Sequence, residues 1–368
     1  MFDFKYWNLK SEFMADKLLG NVLLALKPWF NCLRELIKAA HSEGRPVLVR
    51  FNNDADGVSA ALALSHAWNW MKFLQHNSAA YSLGNAMSDL SIYSSEGKAP
   101  LGLLVDFGSN VESAEGIRHL IAAGAKVAVI DHHPLEAEEE HILLISPWVV
   151  SGNSSVTAGM LCAELAKGES KNIQHLNTLA RISAAGDRSP LMKPTDADKK
   201  TAMVFDYLSA RGKGRKGIAI YESLMGDKEQ LETAYHEAVY KMDEAVQKAL
   251  GVAKYSESAQ GYVLYFPVDK VVERADYPGR GHLATALLDH FTSKGKKGAI
   301  IAYTTNSISF RFSNALSARD IIAHLKSVLP QSIISGGGHA KASSIRVPED
   351  QLGIILSEIG EYLRLGKN

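Results

Sequence analysis

Val47-Leu48-Val49-Arg50-Phe51-Asn52-Asn53-Asp54-Ala55-Asp56-Gly57 decides the fold. Its first half is an apolar, β-branched run that reads as a buried strand. Its second half is a polar turn carrying two carboxylates two residues apart, closed by a glycine. Val58 to Trp68, rich in alanine and leucine, then reads as a helix. A strand running through a loop into a helix puts that loop at the carboxyl edge of a parallel sheet, where open α/β sheets bind ligands. Two carboxylates on a short turn there can reach one or two divalent cations. The same pair also suits a solvated loop with an Asp cap on the helix.

Three further segments repeat the arrangement. Leu101-Gly102-Leu103-Leu104-Val105 ends in Asp106, Lys126-Val127-Ala128-Val129-Ile130 ends in Asp131-His132-His133-Pro134, and Ile182-Ser183-Ala184-Ala185-Gly186 closes on Asp187. Taken alone, the Asp131 cluster also fits a polar turn before a proline. Together the four segments each finish on an ionisable group of metal-ligand type, which scattered surface acids would not do. The ligand types are carboxylate and imidazole without thiolate. Oxygen-rich sites with one His suit Mn²⁺ or Mg²⁺ better than structural zinc. Two such ions about 4 Å apart activate a water and stabilise both oxygens of an in-line displacement, the chemistry of phosphodiester hydrolysis.

The 368 residues suffice for two domains with sizeable cores. Lys plus Arg balance Asp plus Glu at 40 each, so global charge does not point to nucleic acid, although a cleft can be locally basic. Cys32 and Cys162 have no neighbour at metal spacing. Both read as buried free thiols on helices, which fits a reducing, cytoplasmic compartment. No apolar run approaches about 20 residues, so no membrane span is expected. Met1-Phe2-Asp3-Phe4-Lys5-Tyr6-Trp7 lacks the order of a signal peptide.

Along the chain, residues 1–190 read as an α/β domain with a mostly parallel sheet and an N-terminal helical arm. Pro28 interrupts that arm or starts a turn in it. Ser109 or Asn110 is expected to cap a helix beginning near Val111. Ser151 to Gly159 is a small-residue loop whose helix N-terminus either binds an anion or is plainly capped. Residues 191–255 lose the alternation and read as a helical connector, with one long helix from Lys228 to Leu250. Within it, Arg211-Gly212-Lys213-Gly214-Arg215-Lys216-Gly217 is either a phosphate contact or a solvated loop. Residues 256–368 read as a smaller α/β domain. There Ser309-Phe310-Arg311-Phe312-Ser313 turns Arg311 to the face opposite its two phenylalanines. Gly336-Gly337-Gly338 forms a glycine loop beside His339, and with Arg311 it suits a phosphate or nucleotide grip.

These motifs resemble those of the DHH phosphoesterase superfamily with its C-terminal DHH-associated domain. The resemblance rests on Asn53-Asp54-Ala55-Asp56-Gly57, Val105-Asp106, Asp131-His132-His133, Gly186-Asp187 and Gly336-Gly337-Gly338-His339, in the family's order. It covers roughly residues 45–190 and 260–346, and domain order and size look most like RecJ-type single-strand exonucleases and their archaeal relatives. The resemblance implies a site for two Mn²⁺ ions, with Mg²⁺ as the alternative. Asp54, Asp56, Asp106, His132 and Asp187 would be ligands, Asp106 bridging. His133 would stand beside the scissile phosphate, and Asp131 would orient a histidine. Oligoribonuclease-type members carry His where this chain has Arg50, and RecJ-type members often carry Asp or His where it has Asn52. Both departures put in question whether the two metal positions are filled. They leave Arg50 to face the phosphate and Asn52 to hydrogen-bond there.

Three functions follow from the resemblance. The first is a single-strand exonuclease on DNA, with RNA as a further substrate. The second is a phosphodiesterase of short oligonucleotides or cyclic dinucleotides. The third is a non-catalytic scaffold of replication and repair, against which the full acid and histidine set speaks. Long single strands need a basic groove and stacking aromatics, for which Arg211 to Lys216 and Tyr277 are candidates. Repair or replication proteins and a second copy of the chain are the expected protein partners.

Overall fold

The computed structural model describes residues 15–93, 97–135, 141–211, 217–258, 261–273 and 276–365. The N-terminal aromatic arm, the acidic stretch Glu136 to Glu140 and positions 212–216 of the basic segment lie outside these residues. The chain forms two compact units: Met1–Ser209 with Gly214–Tyr235, and Ala210–Lys213 with His236–Asn368.

In the first unit, β1 (Val47–Asn52), β2 (Lys72–His76), β3 (Leu101–Val105), β4 (Lys126–Ile130) and β5 (Ile142–Ile145) form one parallel sheet in the order β2-β1-β3-β4-β5. From β1 the chain steps to β2 on one side and then returns to β3 on the other. The strand order therefore reverses at β1 and opens a crevice at the carboxyl ends of β1 and β3. Asp54 and Asp106 flank that crevice because each closely follows one of these strands.

Helix α1 (Lys27–Ser42) carries Pro28 in its first turn, where the missing N–H leaves no bond unmade, and the helical residues 15–25 before it break at Leu26, so the proline interrupts the arm and starts a new helix. Helix α2 (Ala55–Ala67) is buried continuously from Ala55 to Ser65. Its small, apolar composition on every side is what a fully enclosed helix requires. Leu83–Tyr93 forms α3 and Ala114–Ala122 forms α4. Asn110, one of the two expected caps, accepts from Ser113 N in the turn that leads into α4. Helices α5 (Ala158–Ala166) and α6 (Ile173–Gly186) pack on α2.

The segment read as a connector divides between the units. Helices α7 (Asp196–Ala210) and α8 (Ile218–Gly226) bring Ala202, Phe205 and Tyr221 into the first core. Helix α9 (Lys228–Val252) brings Ala245, Val246 and Ala249 into the second. Each helix has an apolar face that a core must cover. Cys162 is buried, but Cys32 is exposed on α1, contrary to the expectation of two buried thiols, because it lies off the stripe of Phe30, Leu33 and Ile37 that faces the core.

The second unit is a mixed sheet in the order β10-β11-β9-β8-β7-β6, parallel only between β7 and β8. Its strands are β6 (Lys254–Ser258), β7 (Gly261–Pro267), β8 (Gly298–Thr304), β9 (Ser307–Phe312), β10 (Ser335–His339) and β11 (Ala342–Arg346). One face, with Val263, Ile301, Ile308, Phe310 and Phe312, packs on α11 (Ala318–Val328) and α12 (Leu352–Leu365). The other meets α10 (Arg280–Thr292) through Leu264, Phe266, Ile300 and Ala302. Beyond α10 that second face turns polar, with Ser309, Arg311 and Ser344 in register beside Ala302 and Ile300.

The glycine run is a strand, not the expected loop. Gly336 and Gly338 have φ of +138° and +126°, and a Cβ there would fall 2.4 Å from Ser344 O and 2.7 Å from Ala342 O. Only glycine fits such a pairing. Tyr277 is buried and offers no exposed stacking ring. No described helix is long and apolar enough to cross a membrane.

Candidate metal centre

The turn after β1 places its two carboxylates differently. Asp54 caps α2, its Oδ1 accepting from Gly57 N at 2.9 Å. Asp56 points inward and is 1% exposed. Its Oδ1 accepts from Gly159 N at 2.7 Å and Ser183 Oγ at 2.6 Å, and its Oδ2 accepts from Ala158 N at 2.9 Å. The N-terminus of α5 therefore does hold an anion, and that anion is the chain's own Asp56. Thr157 is the helix cap beside it. Glycine is needed at 159, where a Cβ would lie 2.4 Å from Ser183 Cβ and 3.1 Å from Asp56 Oδ1.

Asp106 follows β3 with φ +66°, a backbone conformation that non-glycine residues rarely adopt and that concentrates at functional sites. Its Oδ2 accepts from Asn52 Nδ2 at 3.1 Å. Its Oδ1 is buried and accepts no hydrogen bond. The next strand end supplies His132, whose Nδ1 lies 3.0 Å from Ser154 O. A carbonyl only accepts, so Nδ1 carries a proton and Nε2 turns to the acids. It lies 2.9 Å from Asp187 Oδ2, 3.4 Å from Asp106 Oδ1 and 3.6 Å from Asp56 Oδ2. Trp148 Nε1 donates to His132 O at 3.0 Å and Ser154 Oγ at 2.9 Å, fixing both ends of that arrangement.

Asp131 holds the neighbouring ring. Its Oδ1 takes His133 Nδ1 at 2.8 Å and His133 N at 3.1 Å, while Ser109 N donates to its Oδ2 at 3.0 Å. His133 is 41% exposed, with Nδ1 3.9 Å from Asp106 Oδ1, and Asp187 also reaches the surface. Among the described residues, two sets of donor atoms lie within 4.8 Å of one another: Asp106, His132 and His133, and Asp56, His132 and Asp187.

Electrostatics follow from this crowding. Burial lifts Asp106 well above the usual carboxylate range, with Asp54 and Asp56 adding to the effect. Burial and Asp187 raise Asp54, and the same two causes bring Asp56 to about 6. Burial alone would lower His132, but Asp187 and its other acid neighbours hold it well above an ordinary histidine. Burial opposes Asp131 too, yet His133 keeps that carboxyl well below its usual range, and Asp131 in turn raises His133. Acids that retain protons around a buried, unbonded carboxylate oxygen are a set short of positive charge. Carboxylate and imidazole donors with one ring fixed from behind by a carbonyl fit a divalent cation such as Mn²⁺ or Mg²⁺.

The structure thus brings Asp54, Asp56, Asp106, Asp131, His132, His133, Asp187 and Asn52 together. Arg50 does not face a phosphate. It is fully buried, and its Nε donates to Asp89 at 2.6 Å, with Nη2 also bound to Asp89 and Tyr81 Oη donating to the same carboxylate at 2.6 Å. Two residues before Asn52 on one strand face, it lies deeper in the sheet and meets a buried acid on α3. Arg311, Gly336, Gly337, Gly338 and His339 belong to the second unit, where Arg311 donates to Thr285 Oγ1 at 2.9 Å. Sequence reasoning missed Ser183, Trp148 and Asp206, whose Oδ1 accepts from Ala55 N at 2.7 Å. It also missed Arg280, bound to Ser307, Ser309 and Ser344. Hydroxyls and a distant capping acid carry no spacing signal.

Comparison with known proteins bears on the fold. Residues 46–186, within the first unit, match the model of the DHH family, N-terminal domain. An uncharacterized protein of Methanocaldococcus jannaschii is 24% identical over 95% of this chain; the chain spans about half (55%) of that relative's length. Among solved structures, the DHH domain of a member of the s1p family of ribosomal proteins superposes with a TM-score of 0.81 at 24% identity, covering 97% of this chain and 96% of that one. RecJ of Thermus thermophilus in complex with Mn²⁺ gives 0.59 at 16% identity over 91% of this chain and 54% of that chain. CDC45 of Entamoeba histolytica gives 0.52 at 8% identity, covering 90% and 98%. The chain has a RecJ-like fold.

Proposed function

We propose that the protein is a metal-dependent phosphodiesterase that hydrolyses single-stranded nucleic acid, DNA foremost, from an end. The carrying observation is His132 Nε2 facing three carboxylates within 3.6 Å while Asp106 Oδ1 stays buried without a hydrogen bond. In this reading Asp54, Asp56, Asp106, His132 and Asp187 hold two divalent ions, Mn²⁺ foremost. When bound, such ions supply a water nucleophile at neutral pH and offset charge on the phosphate. Asp131 fixes the tautomer and orientation of His133, and the exposed His133 donates toward the phosphate or leaving oxygen. Arg311, the Gly336–Gly338 strand and His339 would bind the substrate phosphate or terminal nucleotide.

The RecJ neighbours, one named for its Mn²⁺ complex and another as an exonuclease bound to manganese, support this reading. A short-substrate reading is favoured by one observation: Tyr277, the aromatic candidate for stacking a long strand, is buried. The test is a length series of single strands, labelled at each end in turn, on both sugars, with Mn²⁺. Processive loss of nucleotides from strands of tens of residues supports the exonuclease. Cleavage confined to substrates of a few nucleotides replaces it with the short-oligonucleotide enzyme, and no cleavage at any length ends both.

A further inference from the structure

The amide of Asn52 stands between two of the acids that the proposed function assigns to metal. Its Nδ2 donates to Asp54 Oδ2 at 2.6 Å and to Asp106 Oδ2 at 3.1 Å. Its Oδ1 accepts from Asn53 N at 2.9 Å. That last bond sets which way the amide faces. The NH₂ end meets the acids, and turning it over would forfeit three hydrogen bonds and set an oxygen against two carboxylates. Asp106 is thereby divided. Its Oδ1 faces His132 and His133, and its Oδ2 is taken by Asn52. Neither close set of donor atoms includes Asp54.

We infer that the two metal positions are unequal, and that Asn52 makes them so. This rests on the metal-dependent reading above and deepens it. The strong position would draw on Asp56, His132 and Asp187, with Asp106 Oδ1 facing the same histidine. The weak position would draw on Asp54 and Asp106 Oδ2, the two oxygens that the amide now occupies. A cation there must displace a neutral donor already bonded to both carboxylates, and Asn52 contributes no charge to hold it. The missing ligand is a phosphate oxygen, so the second ion is retained only with a phosphate-bearing substrate. Such a protein turns over phosphate esters in a two-ion state yet rests in a one-ion state.

The experiment is a Mn²⁺ titration of the full chain by calorimetry, with electron paramagnetic resonance reporting spin-coupled pairs. The expected wild-type result without ligand is one ion per chain and no coupled signal, the second binding at least about thirtyfold more weakly. Adding AMP as a phosphate probe should bring in the second ion. Asn52→Asp should bind two ions within about tenfold of each other and show the coupled signal without AMP. Asn52→Ser removes the amide without adding charge and should tighten the second ion several-fold over wild type, which keeps the test intact if Asn52→Asp folds poorly. Two equal ions in the wild type, or a second ion no tighter in Asn52→Ser and Asn52→Asp, would overturn the inference. A one-ion wild-type protein that hydrolyses nothing would instead count against the enzymatic reading and leave the stoichiometry standing.

Discussion

Asp131 touches His133 twice and is itself anchored by Ser109 N, so it acts by holding a ring in place. Asp131→Asn keeps the shape but replaces an acceptor-only carboxylate, and hydrolysis should fall by about ten- to a hundredfold with KM little changed. Steady-state kinetics on a short single strand check this. A rate within twofold of wild type would remove Asp131 from the mechanism. Asp89 has the opposite character. Its loss leaves the Arg50 guanidinium buried and unpaired, so Asp89→Ala should destabilise the fold by about 3–5 kcal/mol, read from urea midpoints. The carboxylates and histidines that the structure brings together were legible in the sequence because each follows an apolar run. Arg50 was misread because a strand residue's depth is not written in its spacing. Its partner Asp89 lies far along the chain and becomes visible only once α3 brings it to Arg50.

At the level of elements, the most informative piece is the end of α6. Ser189 N bonds to Ala184 O, and Asp187, at the helix C-cap, puts its carboxylate 2.9 Å from His132. The residue that turns the chain there, Arg188, has φ +54°. Glycine is the usual occupant of that position in this kind of helix ending, and a side chain costs about 1 kcal/mol. Arg188→Gly should therefore raise the thermal midpoint by a few degrees, measured by calorimetry. A drop of similar size would show that the Arg188 side chain contributes more than its backbone conformation takes away. Several strand and helix positions were legible from the sequence pattern: β1, β3, β4 and α9 fall where apolar runs and helical spacing placed them. The Gly336–Gly338 strand was not. A glycine run reads as a loop unless a neighbouring strand, here β11, offers a close backbone to pair with.

For the whole molecule, metal and pH should act together. Without an ion, the folded state keeps protons on Asp54, Asp56 and Asp106 that unfolded carboxyls near 3.8 have released. His132 likewise keeps a proton that an unfolded histidine near 6.5 gives up. The folded state therefore binds more protons above about pH 4, and the stability of the metal-free protein should fall as pH rises from there. Asp131 acts in the other sense, losing its contribution only below the ordinary carboxylate range. Divalent ions bind the deprotonated ligands, so the rise in thermal midpoint on adding Mn²⁺ should be larger near pH 8 than near pH 5. Equal shifts at both would contradict this. The second, mixed sheet was readable from the return of strand patterning after residue 255. How the intervening helices divide was not, because their apolar faces identify a core only once that core exists.

Hydrolysis of a labelled single-stranded oligonucleotide by the wild type and by Asp106→Asn, each with Mn²⁺ and with EDTA, tests the central claim most directly. Asp106 faces His132 with one oxygen and Asn52 with the other, so it stands at the heart of the proposed centre. The expected result is cleavage by the wild type with Mn²⁺ alone, none with EDTA, and a loss of at least about a thousandfold in Asp106→Asn. Cleavage that survives EDTA, or an Asp106→Asn protein that cleaves at the wild-type rate, would contradict it.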